Sequence, residues 1–151
     1  MSAPRGRLTP LQAELLDAFF KREERFFLTG GGALAGYHLG HRETHDKPAH
    51  GGVRVDPAEE IFANKLCTLL GRSEIRDLVD VRALEGLGLS LTEARAAGQR
   101  KDGGLTPAQL AWVLSQITIG DEASLPGDVT PAELRDYLRS LVDRLVRLAR
   151  P

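Results

Sequence analysis

The sequence contains one cysteine, one methionine and one tryptophan in 151 residues, and aromatics make up only 5% of it. A lone Cys67 closes no internal disulfide, and its place in the apolar run IFANKLCTLL predicts a buried thiol in a reducing compartment. No apolar run approaches the ~18 residues that a membrane span needs, and the opening MSAPRGRLTPLQ has no signal-peptide centre. The expectation is a soluble cytoplasmic protein with no membrane partner. An excess of one charge is missing too. Twenty Lys and Arg face 21 Asp and Glu, so net charge exerts no long-range pull on nucleic acid, and any such contact must come from a local patch. Strand signals are equally scarce: only RFFLT (25–29) and the alternating GGVRV (51–55) qualify, and there is no tandem repeat or low-complexity tract. What remains is a chain with 42% hydrophobic residues, enough for one core and too short for two well-filled domains.

Helix starts are the strongest signal. TPLQ at Thr9, DPAE at Asp56, TPAQ at Thr106 and TPAE at Thr130 each set a capping side chain before a proline, with Glu or Gln three residues after the cap. The cap oxygen accepts from an orphan N–H, proline starts a helix without losing a needed donor, and the Glu or Gln reaches back to the cap. Leu11, Leu15, Ala18 and Phe19 then predict a core stripe on the first helix. Leu110, Val113, Leu114 and Ile117 do so on the third capped helix, and Leu134, Leu138, Leu141, Leu145 and Leu148 on the last. The polar face of that last helix, with Arg135, Arg139, Asp143 and Arg147, reads as a solvated surface or as an RNA contact. The stretch after Asp56 predicts two helices reaching about Leu87, with a pause at Gly71 to Ser73. LTEARAAGQ predicts a short helix, KDGG a turn, and TIGDEASLPGDV a connecting loop.

Three glycines, Gly30, Gly31 and Gly32, follow the first strand candidate. Glycines between a strand and a helix let backbone N–H groups converge where a side chain would block approach, which suits a triphosphate; a tight structural turn has the same composition. The spacing to Gly36 fails the dinucleotide fingerprint, and no Gly-Lys-Ser/Thr makes a P-loop. His38, His41, His45, Asp46 and His50 crowd the region beyond, but no Cys or Glu completes a zinc signature.

The wider string FLTGGGALAGYHLGHRETHD resembles the opening motif of the nucleotidyltransferase AbiEii/AbiGii toxin family, through Thr29, Gly30, Gly31, Ala33, Leu34, Gly40, His41, Arg42, His45 and Asp46. VDPAEEIFANKLCTLLGRSEIRDLVDVRAL resembles its second block, through Pro57, Glu59, Lys65, Arg72, Arg76, Asp77 and Asp80. The resemblance implies an α+β, predominantly helical chain. Residues 1–56 would form a truncated nucleotidyltransferase-like core with a sheet remnant of two or three short strands, and residues 57–151 a C-terminal helical bundle, within the single domain 1–151. It also implies Mg²⁺-dependent transfer of a nucleotide from an NTP to an RNA such as tRNA, and a cognate antitoxin. Thr29, Gly30, Gly31, Gly32, Arg42, Arg72 and Arg76 are then the nucleotide-binding candidates. Asp46 and Lys65 are the catalytic ones, Asp46 the Mg²⁺ ligand, and Asp77 and Asp80 supporting carboxylates. On one unbroken helix, Lys65, Arg72 and Arg76 would share a face.

The family pattern is broken at one point. Its second aspartate is Pro48 here, which leaves Asp46 as a single carboxylate where the chemistry uses two. Only Lys47 to Gly52 separate Asp46 from the strand VRV, and six residues span at most ~20 Å, too little for further strands and a return. Two readings follow: a nucleotidyltransferase toxin, or a non-catalytic module that binds a nucleotide, an antitoxin or another protein. Unpaired edges of the sheet remnant would also invite strand addition or a homo-oligomer.

Overall fold

The computed structural model of the chain describes residues 8–23, 25–34, 49–50 and 53–151. Among these the elements run α1 (Pro10–Phe20), α2 (Gly30–Ala33), β1 (Ala49–His50), β2 (Val53–Arg54), α3 (Ala58–Arg72), α4 (Ile75–Gly86), α5 (Leu91–Lys101), α6 (Pro107–Ser115) and α7 (Pro131–Ala149). The architecture is α+β and predominantly helical, as the sequence predicts. No helix among the described residues is long and apolar enough to cross a membrane. The chain divides into two compact units, Met1–Ile61 and Phe62–Pro151, with the boundary inside α3.

In the first unit, β1 and β2 pair antiparallel, Ala49 opposite Arg54 and His50 opposite Val53. The expected strand RFFLT contributes a single parallel bridge, Leu28 to Val55. Its two bonds are the Leu28 N–H donating to the Arg54 carbonyl at 2.6 Å and the Asp56 N–H donating to the Leu28 carbonyl at 2.8 Å. Arg54 reinforces this small sheet. Its guanidinium donates to the carbonyls of Phe26 and Glu23, both at 3.2 Å, and lies 5.4 Å from the centre of the Phe27 ring. α1 opens on the expected capping box: the Gln12 N–H donates to Thr9 Oγ1 at 3.2 Å and the Thr9 N–H to Gln12 Oε1 at 2.8 Å. Its core stripe, however, is turned out. Leu11, Leu15 and Phe19 are 65%, 61% and 47% exposed and Ala18 is exposed as well, while Phe20 on the opposite side is buried. Periodicity marked the apolar side of α1 correctly but could not say that, among the described residues, this side is exposed.

The second unit is a bundle of helices. Phe62, Leu66 and Leu69 of α3, Leu78, Val81 and Leu84 of α4, and Leu91 and Ala94 of α5 are buried. So are Leu110 and Leu114 of α6 and Leu134, Leu138, Leu141 and Leu145 of α7. Three of the expected core positions differ: Val113 is only half-buried, α6 stops at Ser115 and leaves Ile117 half-buried beyond it, and Leu148 near the end of α7 is exposed. Thr106 and Thr130 cap α6 and α7 through the N–H groups of Gln109 and Glu133, and Thr130 closes the reciprocal capping box. Gly98 brings α5 against α3: a Cβ there would stand 2.4 Å from Leu105 Cδ2 and 3.3 Å from the Ala63 carbonyl oxygen. Cys67 donates across the same contact to the Gly98 carbonyl at 3.6 Å, and burial, assisted by the Asp102 charge, pushes its thiol pKa up. The expected break after α3 is real but is made by Ser73, not Gly71. Ser73 has φ +52, its N–H donates to the Leu69 carbonyl at 3.1 Å, and its hydroxyl donates there too at 3.0 Å. That left-handed residue, of the kind glycine usually supplies at a helix end, lets α4 start at Ile75 in a new direction.

Candidate functional site

The glycine turn belongs to the first unit. Leu28 bonds to the strand, Thr29 follows, and Gly30 enters the short α2 at φ +66, a conformation that a side chain resists. A Cβ on Gly30 would meet nothing within 4 Å, so the space beside its α-carbon is open. Ala33 and Leu34, both buried, anchor the far end. Strand edge, left-handed glycine and buried anchor make the backbone turn abruptly at Gly30. Arg42 and Asp46, together with His38, His41 and His45, lie outside the described residues.

The second unit holds an ionic cluster built on Asp77, whose side chain is 1% exposed. Lys65 of α3 donates to Asp77 Oδ1 at 2.8 Å, and Arg72, two turns later on α3, donates through Nε to Oδ2 at 3.0 Å. Lys65 also meets Asp80 at 2.7 Å, one turn beyond Asp77 on α4. The Ser73 turn makes this possible by folding α4 so that its first turn faces the cations of α3. Burial alone would raise the Asp77 pKa, yet the hydrogen bonds from Arg72 and then Lys65 outweigh it and hold the carboxyl below its ordinary value. Burial likewise disfavours the charged Lys65, and the bonds to Asp77 and Asp80 overcome it, so its pKa is raised. Lys65, Arg72 and Asp77 are thus held in their charged forms at neutral pH. Arg72 remains 56% exposed, so one side of its guanidinium is fixed and the rest reaches solvent. Arg76 sits apart: the break at Ser73 takes it off the shared face expected for Lys65 and Arg72 and leaves it exposed on α4.

A second ionic knot had no signal in the sequence. Arg144 of α7 grips Glu85 of α4 with two bonds, Nη1 to Oε1 at 2.6 Å and Nη2 to Oε2 at 2.8 Å, and the Tyr137 hydroxyl donates to the same Oε2. Burial works against the charged Glu85, but Arg144 and Tyr137 more than offset it and its pKa is lowered; burial and then Glu85 push the Tyr137 pKa up. These residues lie 52 and 59 positions apart in the chain, so no local pattern could pair them. Elsewhere an open groove of about 370 Å³ runs between the end of α6 and α7, floored by Ile117, Leu138 and Val142 and edged by Arg135 and Arg139.

Among the described residues, no three His, Cys, Asp or Glu side chains approach closely enough to hold a metal ion. Both oxygens of Asp77 are already bonded to cations and Asp80 faces Lys65, so this pair as it stands does not fit Mg²⁺. The cluster is a set of paired charges: Lys65 lies between Asp77 and Asp80, and Arg72 between Asp77 and, at 3.5 Å, Glu74.

A family model described as nucleotidyl transferase AbiEii toxin, type IV TA system, matches residues 50–149, a span that includes the whole ionic cluster. No curated protein matches the chain, and no solved structure does.

Proposed function

The chain belongs to the family of nucleotidyl transferase AbiEii toxins of type IV toxin–antitoxin systems, and from that premise we propose that it transfers a nucleotide from a nucleoside triphosphate to an RNA acceptor such as tRNA. Membership also implies an antitoxin partner. The observation that carries the reading is the pair Lys65 and Arg72, charged and fixed on the buried Asp77 inside the matched region. A triphosphate carries several negative charges, and a guanidinium pinned along one edge loses little freedom when it takes a phosphate oxygen. In this reading Lys65 and Arg72 take the phosphates, Arg76 and Arg42 add positive charge, and Asp77 is a positioning residue. Within the first unit, Thr29, Gly30, Gly31 and Gly32 are the other phosphate-binding candidates, through backbone N–H groups beside the space that Gly30 leaves open.

The acceptor hydroxyl oxygen forms a bond to the α-phosphorus and gives up its proton to solvent as the bond to the bridging oxygen breaks, and pyrophosphate departs with the electron pair. Lys65 and Arg72 offset the charge that gathers on that leaving group. A divalent ion, Mg²⁺ here, supplies further neutralisation when bound, and Asp46 is the residue assigned to it. Asp77, bonded to Lys65 and Arg72, and Asp80, paired with Lys65, do not fit that role. Residues 1–56 act as the reduced catalytic core and 57–151 as the helical tail, working in the cytoplasm.

Pro48 favours a second reading, in which the chain keeps the nucleotide or the antitoxin but has lost the transfer step, because proline offers no side-chain oxygen. One experiment separates the two. Purified chain with Mg²⁺, labelled nucleoside triphosphates and tRNA transfers label in the first reading, and Lys65→Ala lowers transfer at least about a hundredfold. No label from the parent chain refutes transfer. Calorimetric titration then decides what is left: triphosphate binding that Gly31→Trp removes supports the nucleotide module, and no binding leaves the antitoxin.

A further inference from the structure

The exposed side of α1 has no role in the proposed transfer. Leu11, Leu15, Ala18 and Phe19 fall within a band about 100° wide on the helix, the width of a stripe that normally faces a core, and all four are exposed. Phe26, also exposed, extends the band, its ring centre 6.1 Å from that of Phe19. Phe20, half a turn round, faces inward. α1 is therefore an amphipathic helix whose other side carries the buried Phe20 and whose apolar stripe is exposed among the described residues.

The charges beside the stripe say what covers it. Glu14 and Lys21 border the same edge, about 20° apart on the helix though seven residues apart in the chain. The opposite edge carries the uncharged Gln12 and Leu16 and, just past the helix, Glu23, whose carboxylate is already bonded to Arg25. A twofold axis perpendicular to the stripe brings like edges together with the direction reversed. Centred near Ala18, it sets Glu14 against the Lys21 of a second copy, and Lys21 against that copy's Glu14. Lys21 already bonds Asp17 at 2.6 Å, and an ammonium has donors to spare for a second carboxylate. The small Ala18 falls at the crossing, where two helices need the least bulk. A parallel pair would face Glu14 with the uncharged edge and Lys21 with a Glu23 that Arg25 already holds, a poorer arrangement than two Glu14–Lys21 pairs.

We propose that the chain self-associates as an antiparallel dimer through α1, with Leu11, Leu15, Phe19 and Phe26 of two copies interleaved and two Glu14–Lys21 pairs along one edge. α1 has 11 residues and is roughly 16 Å long, so the patch is well under the ~800 Å² per partner of a standard interface. The dimer is accordingly weak, dissociating in roughly the ten-to-hundred-micromolar range.

Sedimentation equilibrium of the full chain from about 1 μM to about 1 mM tests this. The mass is expected to move from monomer to dimer, and Leu15→Asp is expected to stay monomeric with an unchanged far-UV spectrum and melting temperature. Glu14→Lys weakens the dimer about tenfold by turning both pairs repulsive, and Glu14→Lys with Lys21→Glu restores it to within about threefold. A monomer throughout the range overturns the proposal. So does a dimer that Leu15→Asp leaves intact, or a double charge swap that fails to restore. Should Leu15→Asp disturb the fold, the charge-swap pair decides alone.

Discussion

Replacing Asp77 by Asn tests whether the ionic cluster is a frame or an ornament. The side chain is 1% exposed and accepts from Lys65 and Arg72, and Asn keeps its shape while removing its charge and turning one acceptor into a donor. Breaking a buried pair costs about 3–5 kcal/mol when the surviving charge is left alone. Here the loss is smaller, because Lys65 retains Asp80 at 2.7 Å and Arg72 is already 56% exposed. A fall of about 2–3 kcal/mol is expected, read as a lower urea midpoint at unchanged slope. The acid limb provides an independent check. Because the folded carboxyl titrates below its ordinary value, the unfolded chain binds the proton first as pH falls. The Asp77 contribution is therefore complete above the unfolded carboxylate pKa, near 4, and is lost as pH drops through the lower folded value. The parent should lose stability across that window more steeply than Asp77→Asn. A variant within about 0.5 kcal/mol of the parent, with an equally steep acid limb, would show that Asp77 does not organise the cations.

Two further substitutions probe the second unit. Tyr137→Phe removes the hydroxyl donor from Glu85 while Arg144 keeps its two bonds, so it should cost about 1–2 kcal/mol in urea melts, with a smaller loss on acidification that ends at higher pH, because the folded Glu85 pKa rises toward its unfolded value. An unchanged midpoint would place that hydroxyl outside the energetics of the α4–α7 contact. Gly98→Ala gains about 1 kcal/mol of helix propensity but drives a Cβ to 2.4 Å from the buried Leu105, and overpacking of about 2–3 kcal/mol should leave a net loss near 1–2 kcal/mol. A higher melting temperature would mean that Leu105 moves aside freely.

How much the sequence disclosed depends on the distance over which each feature is encoded. The caps of α1, α6 and α7 are complete within four residues, Thr followed by Pro and then Gln or Glu, and the structure starts those helices there. The same short range makes the stripe on α1 legible and its exposure illegible, since periodicity reports which side is apolar and not whether anything lies against it. The small sheet is there as expected, but the extent of its first strand was not legible, for a related reason. RFFLT looked like a strand, but ladder bonds need a partner, and Leu28 alone finds one in the Arg54–Asp56 segment.

The cluster was half legible for a subtler reason. Lys65, Arg72, Asp77 and Asp80 could all be picked out as charged residues in the second block, but the shared face assigned to Lys65, Arg72 and Arg76 assumed an unbroken helix. The turn is made by a serine holding φ +52, where composition pointed to the neighbouring Gly71. Ser73 ties its N–H and hydroxyl back to Leu69, which offsets the strain of a left-handed residue that carries a Cβ. Once α4 folds back at that point, Arg76 leaves the group and Asp77 enters it from the other side. One unfavourable backbone angle thus decides which cations are held together, and it converts a row of charges along one helix into a pair of cations clamped by a buried carboxylate.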